Sequence, residues 1–238
     1  MRHYRSEAAG SPLPDTFSLL SWNVHKEMGR PPFDKTLQSL LATGSPELIL
    51  FQEAVLDART ADHFPGYNVS AAINIDLRHR QYGVLTAARC PIHDTVGLKT
   101  NRREMHIATR KSMLITTHPF EDGGELTAVN LHAINFVSAA VFVEEIERLR
   151  VVLQQRTGAL IVTGDFNTWS RKRMEYLEHF AAAVGLLPAA YINGHHIKQR
   201  FSKPLDHLYY RDVTLLAAEA VDTGRVSDHN PILATFKR

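Results

Sequence analysis

Carboxylate, amide and imidazole side chains recur just past the ends of apolar segments along the chain. In order they are Asn23, Gln52-Glu53, His132, Asp165 with Asn167, Asp206-His207 and Asp228-His229. Rigid strand ends that share one rim are good places to hold catalytic groups. Carboxylate and amide oxygens are preferred ligands of a hard divalent cation, and imidazoles can bind or protonate phosphoryl oxygens. The residue types therefore indicate metal-assisted hydrolysis of a phosphate ester.

Each of these positions also has a structural explanation when it is taken alone. The alternatives are a simple strand end for Asn23 and Glu53, an Asx turn for Asp165, a hydrogen-bonded histidine for His132, a cap or an ion pair with Arg211 for Asp206, and a turn before Pro231 for Asp228 and His229. The same oxygen and imidazole chemistry at every strand end favours one shared site over this set of separate explanations.

The elements that would hold these residues alternate between strands and helices. Apolar runs predict strands over 17–22, 47–51, 67–75, 82–88, 111–117, 125–131, 160–162, 205–210, 213–218 and 232–236. Apolar residues at helical spacing predict three helices, which end near Gly44, Gly158 and Gly185. Two packed sheets with helices on their outer faces would bury this pattern, so the expected fold class is α/β.

Composition excludes several classes of protein. The 238 residues are 44% hydrophobic and 22% charged, which argues against disorder, collagen and a small disulfide scaffold. A formal net charge of +2 argues against a protein that coats DNA by charge alone. Cys90 is the only cysteine, so an intramolecular disulfide is impossible and a cysteine-based zinc site is disfavoured.

The domain organisation is predicted to be simple. Residues 1–15, with Gly10, Pro12 and Pro14, are expected to form a flexible leader, and residues 16–238 a single domain. The chain has no apolar run suited to a signal peptide or long enough to cross a bilayer. We therefore expect a cytoplasmic monomer without a transmembrane segment.

In order and spelling, the polar motifs resemble the signature set of the endonuclease/exonuclease/phosphatase superfamily. The matching motifs are Ser21-Trp22-Asn23-Val24, Gln52-Glu53, Asn130-Leu131-His132, Gly164-Asp165-Phe166-Asn167, Leu205-Asp206-His207 and Ser227-Asp228-His229-Asn230-Pro231. The resemblance runs over residues 17–236, nearly the whole chain. It implies a four-layer α/β sandwich of the DNase I-like type and hydrolysis of a phosphodiester, with nucleic acid as the first candidate substrate.

The resemblance also implies a role for each matching residue. Glu53 would be the principal ligand of Mg²⁺, or of Mn²⁺ in its place, with Asn23 near the metal and Asp228 in the metal and water network. The implied catalytic roles are water activation for Asp165, a hydrogen bond to a phosphoryl oxygen for Asn167, phosphate contact for His229, orientation of that ring for Asp206, and a non-bridging oxygen or leaving-group contact for His132. An extended stretch would also put Asp165 and Asn167 on one face.

Departures from the superfamily pattern bear on the substrate. Abasic-site nucleases carry an acidic residue where this chain has His25, and a tyrosine near the position of His132. The histidine is more similar to DNase I-type nucleases and to lipid or inositol phosphodiesterases and phosphatases. The run from Trp22 to Lys26 resembles a bacterial branch of the superfamily.

Aromatic and basic residues near the motifs are candidate substrate contacts. Trp169 is predicted as a stacking platform, with Arg171 and its neighbours to Arg173 as a phosphate-tracking edge and Arg110 as a further basic contact. Alternatively, Trp169 packs at a helix start and the basic run is a solvated helix face. A phospholipid or small phosphate ester, and a catalytically silent binding module, remain the alternative functions.

Overall fold

The computed structural model describes residues 3–6, 10–77, 80–101 and 110–238, and its strands and helices lie within that part of the chain. The strands are β1 (His3–Ser6), β2 (Thr16–Asn23), β3 (Leu48–Leu56), β4 (Asn68–Leu77), β5 (Arg80–Ala88), β6 (Asp94–Lys99), β7 (Ser112–Pro119), β8 (Glu125–His132), β9 (Ala159–Asp165), β10 (Leu187–Pro188), β11 (Gln199–Arg200), β12 (Lys203–Pro204), β13 (Asp206–Arg211), β14 (Thr214–Ala220) and β15 (Ile232–Lys237). The helices are α1 (Pro31–Gly44), α2 (Ala139–Gln154) and α3 (Arg171–Val184).

The strands form two mixed sheets and a small hairpin. One sheet has seven strands in the order β1-β4-β5-β3-β2-β15-β14, the other has six in the order β10-β13-β9-β8-β7-β6, and β11 pairs with β12. The pairs β2–β3 and β8–β9 are parallel, and their other neighbours run antiparallel. Each parallel pair therefore brings two strand ends to the same edge of its sheet.

The two sheets lie face to face, and the helices cover their outer sides. An apolar cluster between the sheets joins Phe17 and Leu48 of the first sheet to Leu126 and Ile161 of the second. A second cluster buries the apolar face of α1 against the first sheet, and a third buries those of α2 and α3 against the second sheet. This helix–sheet–sheet–helix order confirms the predicted four-layer α/β sandwich.

Strand β2 shows how the sequence divides between these layers. Phe17 and Leu19 belong to the cluster between the sheets, whereas Leu20 and Trp22 belong to the cluster with α1. Because successive side chains of a strand alternate in direction, an apolar run is needed to bury both faces. Trp22 stacks on Phe33 of α1, with 5.1 Å between ring centroids. This packing anchors the end of β2 at which the first polar motif begins.

The helix ends largely follow the local sequence signals. Helix α1 begins with proline in its first turn and ends at Gly44 as predicted. Ser170 caps α3 by accepting a hydrogen bond from Arg173 N, and Gly185 follows the helix with φ +72°. Helix α2 ends at Gln154, several residues before the predicted stop at Gly158.

The described part of the segment predicted as a flexible leader, residues 1–15, contains a strand and a buried residue. His3–Ser6 forms β1 and pairs with β4 in antiparallel register. Leu13 is fully buried between the sheets, and its N–H donates to Pro119 O at 2.7 Å. Gly10, Pro12 and Pro14 all follow β1, so they do not interrupt its pairing with β4. The fold therefore begins before residue 16.

Strand β6 was not predicted from the sequence. Its residues, Asp-Thr-Val-Gly-Leu-Lys, alternate only weakly between apolar and polar types, and none of its side chains is fully buried. Within the described residues, every helix of the fold is too short or too polar to cross a membrane.

Candidate active site

The sheet topology brings the polar motifs to one edge of the sandwich. Asn23 ends β2 beside Gln52 of its parallel neighbour β3, and His132 ends β8 beside Asp165 of β9. Asp206 begins β13 directly opposite Asp165 in the antiparallel ladder. The segment before β15 reaches the same edge, because β15 runs antiparallel to β2. Residues far apart in the sequence thus meet for topological reasons.

A cavity of about 510 Å³ opens at this edge. The predicted site residues that line it are Asn23, Glu53, His132, Asp165, Asn167, Asp228 and His229. Asp206 lies behind the cavity, where its Oδ2 is 2.7 Å from His229 Nδ1. Glu53 and His229, which the sequence separates widely, therefore face one space.

Asp165 is buried at the centre of these contacts. Its Oδ2 accepts a hydrogen bond from Asn23 Nδ2 at 3.0 Å, which links the two sheets. The same oxygen lies 3.6 Å from His132 Nε2 and 3.9 Å from His229 Nε2. Burial raises the pKa of Asp165 to about 6, against the opposing effect of the His229 charge. A carboxylate with a raised pKa is suited to accept a proton near neutral pH.

His229 is held as a cation by the carboxylates around it. Burial alone would lower the pKa of His229, but the charge and hydrogen bond of Asp206 raise it to about 10, with Asp165 and Asp228 adding to the effect. The imidazolium Nδ1–H donates to Asp206, and its Nε2–H remains for a group in the cavity. Trp22 Nε1 donates to His229 O at 2.8 Å and fixes the backbone.

His132 has the opposite electrostatic environment. Burial, together with the charges of Lys111, His229 and Lys26, lowers the pKa of His132 well below its usual value. Lys111 Nζ lies 2.9 Å from His132 Nε2. An ammonium group can only donate, so His132 Nε2 accepts this hydrogen bond and the ring is neutral. Lys111 therefore brings the positive charge, and His132 positions it.

Glu53 occupies a β-bulge in β3. The register of β3 against β5 shifts between Phe51 and Ala54, and Glu53 has a φ of +54°. A bulge re-aims one side chain, and a positive φ outside glycine marks local strain that often accompanies a functional site. Here the Glu53 carboxylate meets two ammonium groups, with Oε2 at 3.4 Å from Lys26 Nζ and Oε1 at 3.8 Å from Lys111 Nζ.

Asn130 holds this bulge from the opposite sheet. Its Nδ2 donates to Phe51 O at 3.1 Å and to Leu85 O at 2.8 Å, and these two residues face each other where the register shifts. Its Oδ1 accepts from Gln52 Nε2 at 2.8 Å. The side chains of Asn130 and Gln52 are fully buried. Asn130 thus supplies hydrogen bonds where the ladder is interrupted and fixes the backbone that carries Glu53.

Replacement of Asn130 by alanine should destabilise the fold strongly. Asn130→Ala removes a donor from two buried carbonyls and leaves Gln52 Nε2 with only its 3.2 Å bond to Leu50 O, so we expect the free energy of unfolding to fall by about 2–4 kcal/mol. Chemical denaturation of the two proteins measures this difference. Asn74→Ala is the control, because the Asn74 amide donates to Arg110 O outside the core. A loss for Asn130→Ala no larger than the control's would show that the bulge holds itself.

The cavity contains oxygen ligands of the kind that Mg²⁺ and Mn²⁺ prefer. Asn23 Oδ1 accepts from His25 N at 3.1 Å but keeps a second lone pair, and Glu53 contributes a carboxylate. Asp228, the third predicted ligand, faces Lys198 Nζ at 3.7 Å. Among the described residues, no three His, Cys, Asp or Glu side chains are grouped to hold a metal ion. The donor set fits an ion bound by one carboxylate, one amide oxygen and water.

The stretch from Asp165 to Asn167 is not extended, which corrects one expectation. Asn167 has a φ of +53°, and its N–H donates to Asp165 Oδ1 at 2.9 Å, so the two residues form an Asx turn. Asn167 Nδ2 donates to Ala133 O at 3.1 Å. Asp165 therefore forms the Asx turn that was the alternative explanation for its position. It also lines the cavity, because the turn holds its carboxylate there.

Of the predicted substrate contacts, Trp169 lies near the cavity, whereas Arg171 and Arg110 do not line it. Trp169 Nε1 donates to Asn135 Oδ1 at 2.9 Å. Arg171 is exposed and pairs with Glu175 at 2.6 Å. Arg173 is buried and donates to three backbone carbonyls, so it is a structural residue and not part of a phosphate-tracking edge. Arg102 and Arg103, which the sequence also indicates as basic residues near the motifs, lie outside the described residues.

The sequence indicates Lys111, Lys198 and Arg200 as basic residues near the motifs, but it does not show that they line the same cavity. Lys26, Lys111 and Arg200 line it, but none belongs to the signature motifs. Lys111 precedes β7, which runs antiparallel to β8, and this pairing puts it beside His132. Only the strand register carries that signal, and the register is not visible in the local sequence.

Comparisons with known proteins agree with this architecture. The sequence profile of the Endonuclease/Exonuclease/phosphatase family matches residues 20–229. A UPF0294 protein of Yersinia pseudotuberculosis serotype O:1b is 32% identical over 242 residues, which cover 96% of this chain and 87% of the relative.

Two solved structures illustrate the likeness of the fold. Mannosyl-6-phosphatase Bt3783 of Bacteroides thetaiotaomicron VPI-5482 superposes with a TM-score of 0.71 at 14% identity, over 93% of this chain and 100% of its own. TDP2 of D. rerio, complexed with a single-strand DNA product, superposes with a TM-score of 0.62 at 17% identity, over 94% and 99%. The chain belongs to the endonuclease/exonuclease/phosphatase family, whose members are hydrolases of phosphoester bonds.

Proposed function

We propose that this protein is a divalent-metal-dependent phosphodiesterase that cleaves nucleic acid by attack of water on phosphorus. The observation that carries the proposal is the grouping of Asp165 with the Asp206–His229 pair at one cavity, where Asp165 Oδ2 lies 3.9 Å from His229 Nε2. A proton acceptor and a fixed cation, side by side, are what hydrolysis of an anionic ester requires.

Asp165 is proposed to hold the attacking water and take its proton. Asn23 Nδ2 and Asn167 N each donate to one of its oxygens, so the carboxylate cannot rotate away. Burial, which raises its pKa, also makes it a better base than an exposed aspartate. The two hydrogen bonds thus fix the orientation of the Asp165 carboxylate, and its burial raises its basicity.

The cations of the cavity are proposed to stabilise the charge that develops on the phosphoryl oxygens. His229 would donate its Nε2–H to one oxygen, while Lys111, held by His132, would face another. These donors are fixed before the substrate binds, so little reorganisation is needed in the transition state. A metal ion held by Glu53 and Asn23 would supply further neutralisation of the phosphate charge.

A phosphatase or phosphodiesterase acting on a small ester is the second candidate. The likeness to mannosyl-6-phosphatase supports it, whereas the likeness to TDP2 with its DNA product supports a nucleic acid. We favour the nucleic acid because the cavity is open and has Lys198 and Arg200 on its rim, where a continuing phosphate backbone can be bound.

A substrate panel tests the metal dependence and the substrate class together. Plasmid DNA, a single-stranded oligonucleotide, sphingomyelin vesicles and bis-p-nitrophenyl phosphate are each incubated with Mg²⁺, with Mn²⁺ and with EDTA. We expect cleavage of the nucleic acids with either metal, loss of activity in EDTA and recovery when excess metal is added. Turnover that EDTA does not change would contradict the metal dependence.

The Glu53→Ala variant separates the enzyme from a silent binding module. Glu53 lines the cavity, where its carboxylate lies near Lys26 and Lys111. Loss of cleavage in this variant would support its proposed role as a metal ligand. Oligonucleotide affinity without turnover in the wild type, unchanged in Glu53→Ala, would instead identify a binding module.

A further inference from the structure

An aromatic group surrounds Arg200 beside the catalytic cavity. The Arg200 guanidinium lies 5.2 Å from the ring centroid of Phe136 and 5.4 Å from that of Phe201. The ring of Trp169 lies 6.4 Å from that of Phe201. We call Phe136, Trp169, Arg200 and Phe201 the aromatic rim. Phe136 and Arg200 also line the cavity, so the rim and the proposed site of phosphate cleavage are continuous.

The backbone of the aromatic rim is strained in a way that burial does not offset. Phe201 and Ser202 connect β11 to β12 with φ values of +51° and +58°, and Phe136 has a φ of +46°. Such two-residue turns normally require asparagine or glycine, and a bulky residue with positive φ is an outlier. Phe201 is nevertheless 73% exposed, so it gains little from packing. Strained backbone often occurs at binding sites, and here it presents an exposed ring next to Arg200, which lines the cavity.

The hairpin that carries Phe201 is anchored next to the start of β13. Leu205 N donates to Lys198 O at 2.9 Å and closes the base of the hairpin, and Thr168 Oγ1 donates to Pro204 O at 2.6 Å. The residue after Leu205 is Asp206, which orients His229. The ring at the hairpin tip therefore has a fixed position relative to the phosphate-binding groups.

We propose that the aromatic rim binds an unpaired nucleobase of the strand whose phosphate lies in the cavity. The inference rests on the proposed function and names its substrate as single-stranded nucleic acid. Flat aromatic faces bind bases of any sequence by stacking, and a guanidinium can both stack and contact a phosphate. A lipid chain is disfavoured because Arg200, Lys198 and Gln199 interrupt the apolar surface.

Binding measured in EDTA tests this inference without turnover. A labelled thymidine oligonucleotide and an oligomer of equal length and charge that lacks bases are titrated with protein, and fluorescence anisotropy gives both affinities. We expect the wild type to prefer the base-bearing strand by about tenfold. Phe201→Asn should abolish the preference while keeping the turn, since asparagine tolerates positive φ.

The control and the outcomes keep this inference separate from the proposed function. Leu216→Asn replaces another exposed apolar residue, on β14, and should keep the wild-type preference. Equal affinity of the wild type for both oligomers, or a preference that survives Phe201→Asn, would overturn the inference. Affinity for phosphatidylcholine vesicles that Phe201→Asn removes, without any base preference, would overturn it in favour of a lipid. Cleavage of the base-free oligomer with Mg²⁺ would support the proposed hydrolase function independently of the base preference measured in EDTA.

Discussion

Asp165→Asn should reduce kcat by about 10³-fold while the protein stays folded. The substitution keeps the shape of the side chain and an oxygen that can accept from Asn167 N. It removes the group proposed to take the proton of the attacking water, and removal of a positioned general base typically costs two to four orders of magnitude. The measurement is kcat on the best substrate of the panel, with saturating Mg²⁺ and with circular dichroism to check the fold.

Asp212→Asn is the matched control for this variant. It makes the same chemical change at an exposed position just after β13, at the end of the strand opposite to Asp206, where Asp212 pairs with Arg211 at 3.6 Å. Asparagine also suits its φ of +54°. We expect turnover of the control to stay within about twofold of the wild type. Wild-type-like turnover in Asp165→Asn itself would remove Asp165 from the mechanism.

The stability of the metal-free protein should depend on Asp165 in a defined pH window. Its folded pKa, about 6, exceeds the ordinary value of 3.8 because the carboxyl group is buried. The stabilising contribution of this group is therefore complete below pH 3.8 and is lost as the pH rises through about 6. Asparagine does not titrate, so this part of the pH dependence should be absent from denaturation curves of Asp165→Asn.

The sequence predicted the fold well because its layers depend on local patterns. Phe17 to Trp22 and Leu48 to Phe51 are short, mainly apolar runs, and a strand buried on both faces is consistent with that pattern. The polar residues after such runs had to lie at strand ends, and the two parallel pairs then align those ends. The pattern of strands and helices predicted two packed sheets with helices on their outer faces, and the resemblance in motif order implied the DNase I-like sandwich.

The parts that the sequence did not predict depend on contacts between distant strands. The bulge at Glu53 exists because Asn130, on the other sheet, replaces the interrupted ladder bonds. The role of Lys111 depends on the register of β7 against β8. The sequence predicted Arg173 at a phosphate-tracking edge, but its guanidinium donates to the carbonyls of Ile134 and Val137, which precede it by 39 and 36 residues. In each case the deciding partner is remote in sequence, so local patterning carries no signal.

The electrostatics of the cavity depend on the different charge states of its two buried histidines, His132 and His229. His229 is hydrogen-bonded to the Asp206 carboxylate and is a cation, whereas burial and the hydrogen bond from the Lys111 ammonium keep His132 neutral, although Asp165 Oδ2 lies 3.6 Å from its Nε2. The difference arises from the neighbours, since both rings are buried. Asp206 is the nearest of those neighbours to His229, so its removal should show how much of the catalytic contribution of His229 comes from the charge.

His229→Ala should lower kcat/KM by about 10³-fold, and Asp206→Asn should add nothing to that loss in the double variant. Asp206 is proposed to act through His229, and residues that act as a unit give non-additive effects. The kcat/KM of the single Asp206→Asn variant should lie between those of the wild type and His229→Ala, because asparagine can still accept the hydrogen bond of His229 Nδ1–H but no longer stabilises the cation. Its alkaline limb of activity should move to lower pH, as the pKa of His229 falls from about 10.

NMR titration of His229 in the metal-free protein and double-mutant kinetics decide between this account and a purely structural role. Because the folded pKa of His229 lies above the ordinary 6.5, its stabilising contribution is complete below pH 6.5 and is lost as the pH rises through about 10.

The exposed pair His93–Glu125, with the same ring nitrogen 2.9 Å from a carboxylate, is the control, and His93→Ala should leave turnover unchanged. A double variant much less active than His229→Ala would show that Asp206 acts on the substrate or on Asp165 directly. A His229 resonance that titrates near the ordinary 6.5 in the wild type would mean that the imidazole is neutral at working pH, and the phosphate would then need its positive charge from Lys111 and the metal instead.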